Sequence, residues 1–91
     1  MAAPVLAHAG AMPVFLIHHR HDPHECGAAF AAFKGHESPL RRREALATCR
    51  FGGHDIWWLV EAAGAPEALA QLPFFVARRA TVTREGAVEI P

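Results

Sequence analysis

The chain has 91 residues, enough for one small domain and too few for two. Hydrophobic residues make up 52% and charged residues 20%, which reads as a globular chain and excludes a disordered one. Nine basic residues balance nine acidic ones and no apolar run approaches the ~18 residues of a membrane span, so nothing global draws the chain to nucleic acid or into a bilayer.

Residues 1–11 are alanine-rich and carry no lysine, arginine or carboxylate. They lack the basic leading region and the longer apolar stretch of a secretory signal. They read as a disordered N-terminal extension ahead of Met12, with a single domain over residues 12–91. Residues 13–19, Pro-Val-Phe-Leu-Ile-His-His, form an apolar run of strand length. Asp22 then offers a helix N-cap, Pro23 suits the first helical position and Glu25 is placed as a capping-box partner. The pattern predicts a helix through about Lys34, with Cys26, Phe30 and Phe33 on one face and Gly35 as C-cap. Residues 36–43 form a polar loop, and its run Arg41-Arg42-Arg43 reads as solvated loop rather than a nucleic-acid patch.

Residues 45–51 are predicted as a second strand and Gly52-Gly53-His54-Asp55 as a hairpin turn. Residues 56–62, rich in aromatic and branched side chains, make a third strand. Gly64-Ala65-Pro66-Glu67 opens a second helix with Leu69, Leu72 and Val76 on one face. Pro73 is predicted to kink or split it, because a proline inside a helix removes a hydrogen bond and clashes with the preceding turn. Residues 80–84 are the last strand, and residues 86–91 a tail or a further short strand.

The order βαββαβ is that of the α+β ferredoxin-like plait, an antiparallel sheet in the order 4-1-3-2 with both helices on one face. In strand one Val14 and Leu16 point one way and Phe15 and Ile17 the other. In strand three Ile56, Trp58 and Val60 oppose Trp57 and Leu59. Both faces are apolar and the helices cover one, so a homodimer with its sheets packed face to face is expected.

The chemistry concentrates in one segment. Four of the seven histidines and one of the two cysteines lie in His18-His19-Arg20-His21-Asp22-Pro23-His24-Glu25-Cys26. In the plait, this segment reaches the same edge of the sheet as Cys49, His54 and the pair Arg78-Arg79. Imidazole and thiolate are ligands for borderline and soft ions, so His18, His19, His21, His24, Cys26, Cys49 and His54 are candidate ligands for zinc, copper or nickel. The spacing is neither CxxC nor HExxH. A blander reading makes Cys26 a small core residue, His24 a solvated first-turn residue and His18 a donor to a backbone carbonyl. A second functional reading is an enzyme whose cavity is lined by Trp57, Trp58, Phe74 and Phe75. His19 or His21 would be general base and Arg78 or Arg79 the anion holder, with haem as a variant. A third is thiol chemistry at Cys26 with Cys49 as resolving thiol, although the helix periodicity turns Cys26 inward.

Three segments carry a resemblance: Met12-Pro-Val-Phe-Leu-Ile-His-His-Arg-His, Phe51-Gly-Gly-His-Asp-Ile-Trp-Trp-Leu-Val-Glu and Leu72-Pro-Phe-Phe-Val-Ala-Arg-Arg-Ala-Thr-Val. Over residues 12–91 the chain resembles small bacterial proteins of the dimeric α+β barrel superfamily. That superfamily includes nickel-binding ferredoxin-like dimers, muconolactone isomerases and small antibiotic-biosynthesis monooxygenases. The resemblance implies the fold and the homodimer; no characterised member's catalytic motif maps onto this chain residue by residue. The expectation is a metal-binding homodimer with a storage, sensing or delivery role. With two cysteines and no disulfide framework, its expected setting is the cytoplasm.

Overall fold

Strict side-chain alternation in two long strands organises the chain. The computed structural model describes residues 12–91, and the predicted extension at 1–11 lies outside the described residues. β1 is Val14–Arg20, β2 Leu46–Ala47, β3 Asp55–Glu61 and β4 Ala80–Glu85. They form a four-stranded antiparallel sheet in the order β2-β3-β1-β4. α1 is Cys26–Ala31, entered through a 3-10 turn at Pro23–Glu25; α2 is Ala65–Leu69 and α3 is Phe74–Ala77.

One face of the sheet carries the core. Phe15 and Ile17 of β1 and Ile56, Trp58 and Val60 of β3 are buried with Ala68, Leu72 and Val76 of the helical segment, and Ala32 and Phe33 pack against them. The other face carries Leu16, His18, Trp57 and Leu59, none of them fully buried. No helix among the described residues is long and apolar enough to cross a membrane.

Two elements differ from expectation. The first helix is broken up: α1 ends at Ala31, and Phe33, Lys34 and His36 bond the carbonyls three residues back. Gly35, at φ 78°, takes the left-handed conformation that closes the segment. The second strand shrinks to two residues because Thr48 gathers the chain around itself. Its carbonyl accepts from the Phe51 and Gly53 N–H groups, and its Oγ1 accepts from the Asp55 N–H at 3.1 Å. The result is a 3-10 turn over Cys49–Phe51 in place of extended chain. Gly53 is required there, since a Cβ at that position would fall on the Thr48 side chain. The split at Pro73 is observed: α2 ends at Leu69 and Pro73 is the N-cap of α3. Residues 86–91 have no regular secondary structure.

Candidate metal centre

The pleat of β1 sends adjacent histidines to opposite faces of the sheet. His18 goes to the open face. Its Nε2–H donates to Asp55 Oδ1 at 2.8 Å, and its ring stacks on Trp57 at 4.9 Å. Asp55 also meets Arg20 at 3.4 Å. The His18 hydrogen bond, with help from Arg20, holds the Asp55 carboxyl below its ordinary range. His18 is thereby committed to a hydrogen bond with Asp55 and faces away from the other candidates.

His19 lies on the covered face and is fully buried. Its Nδ1 is 3.0 Å from the Val76 carbonyl oxygen, and its Nε2 is 2.9 Å from His21 Nδ1. A carbonyl can only accept, so His19 Nδ1 carries the proton. Burial, above all, holds the imidazole below its ordinary value near 6.5, so the ring is neutral and its Nε2 is an acceptor. His21 Nδ1–H must then be the donor, which leaves the His21 lone pair on Nε2. Burial, followed by the nearby His54, also keeps His21 below its ordinary value and neutral. His21 Nε2 is buried and has no hydrogen-bond partner. The relay Val76–His19–His21 therefore fixes a tautomer and presents one unshared lone pair inside the protein.

Two more elements meet His21. The His21 backbone N–H donates to the His54 carbonyl at 3.1 Å, which ties the exit of β1 to the turn before β3. The His21 and His54 rings meet edge-on at 5.4 Å. Cys26, the first residue of α1, places its Sγ 3.1 Å from His54 Nδ1. One ligand atom from each of His21, Cys26 and His54 lies within 4.8 Å of the others. Donors on a tetrahedral zinc-sized ion sit roughly 3.3–3.6 Å apart, so these three atoms would have to draw together to share one ion and would leave a fourth position open.

The remaining sequence candidates are elsewhere. His19 has no free nitrogen and supports His21 from behind. His24 is exposed, in a separate cluster with Asp22 and Glu25. Glu25 there is gripped by Arg79, with Nη2 to Oε2 at 2.8 Å and Nε to Oε1 at 3.3 Å, and this pair holds its carboxyl below the ordinary range. Cys49, in the turn after β2, belongs to neither cluster of potential ligands among the described residues. Both cysteines are free and half-buried.

The cavity expected from Trp57, Trp58, Phe74 and Phe75 is not formed. The two tryptophans sit on opposite faces, and Phe74 is 76% exposed. Arg79 stacks on Phe75 at 3.8 Å while holding Glu25, and Arg78 lies over Phe74, so neither arginine serves such a cavity. His19, with both nitrogens engaged, has no lone pair to act as general base. Sequence reasoning missed the Val76 carbonyl that anchors the relay; a backbone acceptor leaves no trace in residue identity. Asp55, expected in the hairpin turn, is the first residue of β3 and the partner of His18. No protein-family model, no curated protein and no solved structure matches the chain.

Proposed function

We propose that the chain is a transition-metal-binding protein that holds zinc, copper or nickel through His21 Nε2, Cys26 Sγ and a nitrogen of His54. One observation carries this reading: the buried, unpartnered His21 Nε2, its lone pair fixed by the relay from Val76. An unmet buried polar atom costs about 1–3 kcal/mol. His36 Nε2 is also buried without a partner, but it belongs to no cluster of potential ligands among the described residues, whereas His21 stands with Cys26 and His54, their ligand atoms within 4.8 Å of one another. An imidazole whose second nitrogen is hydrogen-bonded is also how metal-ligating histidines are usually oriented. Two histidines and a cysteine suit borderline and soft ions. Three protein donors, two of them on half-buried residues, fit an ion that exchanges with solvent rather than a closed structural site. That accessibility supports a storage, sensing or delivery role, and two free thiols are compatible with a reducing cytoplasm.

The test is elemental analysis of tag-free protein after equilibration with each ion and dialysis. The expected result is one ion per chain, lost in the double variant His21→Ala, Cys26→Ala and retained in His24→Ala. A correctly folded wild-type protein that retains no ion refutes the reading.

The same reading includes a ferredoxin-like plait of the dimeric α+β barrel type, paired through its open face. The support is the row Leu16, Trp57 and Leu59 on that face, with Leu59 36% exposed. Light scattering at micromolar concentration is expected to give twice the chain mass; a monomer excludes the pairing. An enzyme of the monooxygenase or isomerase type is favoured by one observation, a cavity of about 350 Å³ that shares Phe30 with the surroundings of His21. A coloured cofactor retained through purification, seen by absorption, would move the assignment to the haem form of that enzyme.

A further inference from the structure

The cavity lies between α1 and the loop that leads into β2. Its origin is local: α1 has six residues and β2 has two, so both elements that would close this corner of the covered face are short. Ile56 and Trp58 of β3, Phe30 and Phe33 at the helix, and Leu40 of the loop supply apolar lining. Lys34, Arg41, Arg42 and Arg43 line the same space, and no carboxylate does. Among the described residues none of these four cations takes part in an ion pair. The chain as a whole is neutral, so this is a local concentration of positive charge over an apolar floor. Arg42 is held at φ 63°, the left-handed region that non-glycine residues enter rarely and that recurs at ligand clamps.

We infer that this cavity binds an organic anion with an apolar body, a carboxylate or sulfonate on the order of ten carbons in size. At 350 Å³ the cavity is at the small end of small-molecule sites, which run from about 300 to 1,000 Å³. Guanidinium groups meet a carboxylate or sulfonate with paired N–H donors, and the aromatic lining takes the hydrocarbon. The run Arg41-Arg42-Arg43 thus acquires a role that a solvated loop would not have. This inference is independent of the metal centre, which it neighbours through Phe30.

The chain has two tryptophans, and Trp58 lines the cavity while Trp57 lies on the opposite face. In a Trp57→Phe background, fluorescence therefore reads the cavity through Trp58. Decanoate, below its micellar concentration and with EDTA present, is expected to bind saturably at one per chain. Calorimetry on the unaltered chain should return the same stoichiometry. Decanol is expected to bind about tenfold more weakly or worse, and added salt should weaken decanoate alone. The double variant Arg42→Glu, Arg43→Glu, at two exposed positions, should lose about tenfold or more in decanoate affinity with its circular dichroism unchanged. Equal binding of decanol and decanoate, unaltered affinity in the charge-reversed variant, or no decanoate binding at millimolar concentration would overturn the inference. Because EDTA is present throughout, none of these outcomes depends on metal.

Discussion

His18 and His19 are neighbours in one strand, of one residue type, and the sheet gives them opposite chemistry. His18 stands on the open face with its side chain 38% exposed, paired to Asp55 and stacked on Trp57. His19 is fully buried on the covered face, where it passes a fixed tautomer from the Val76 carbonyl to His21. Burial is the difference. His18 keeps contact with solvent beside its Asp55 partner. His19 must stay neutral with both nitrogens matched, because an unmet group there has no solvent to turn to.

The sharpest way to break this comparison is His19→Ala. It leaves a void and strands the Val76 carbonyl and the His21 Nδ1–H, so it should cost about 3 kcal/mol in chemical denaturation. The same variant should weaken metal binding about 10- to 100-fold in competition with a chelator, since His21 loses the group that orients it. A loss of stability with unchanged metal affinity would separate His19 from the site.

Acidification sharpens the contrast next. Both His19 and His21 have folded pKa values below the ordinary 6.5. The unfolded chain therefore takes up protons first as pH falls. The stability associated with the pair is fully present above pH 6.5 and is lost as pH falls below it toward the lowered folded values. Metal-free protein titrated by denaturant midpoint between pH 8 and pH 5 should show this decline, and His19→Ala should flatten it. A second decline, below the ordinary carboxyl value near 4.5, is expected from Glu25, whose folded pKa is lowered by Arg79.

His18→Ala should do much less. A partly solvated ion pair contributes about 0.2–1 kcal/mol, and His18 lies on the far side of the sheet from Cys26, so thermal stability should dip slightly and metal stoichiometry should hold. Smallest of all is Cys49→Ser, expected to leave metal binding unchanged, whereas Cys26→Ser should lower it. Equal effects of the two serine variants would mean that the turn around Thr48 rearranges when metal binds.

Much of the fold was legible in residue pattern. The apolar run at 13–19 and the aromatic, branched run at 56–62 marked β1 and β3 to within one residue of Val14–Arg20 and Asp55–Glu61, alternation sorted their two faces, and Pro73 marked the break between α2 and α3. The second strand was less legible, because its end depends on Thr48 bonding to Asp55 across the turn, a contact between residues that local propensity treats separately. For the site, the density of histidine and cysteine between positions 18 and 26 pointed to the right place, and topology brought in His54. Cys49 looked equivalent to His54 by the same topology. The 3-10 turn over Cys49–Phe51 separates them.

Residue types and their order were thus enough to put a cluster of candidate metal ligands at the exit of a strand and to sort the faces of the two long strands. They were not enough to say which ring nitrogen is free. That depends on a carbonyl at Val76, 57 residues from His19 in sequence. It depends equally on the burial that keeps both rings neutral, and both exist only once the helical segment is packed on the sheet. An imidazole has two equivalent-looking nitrogens on paper. Tertiary structure makes them different by occupying one of them.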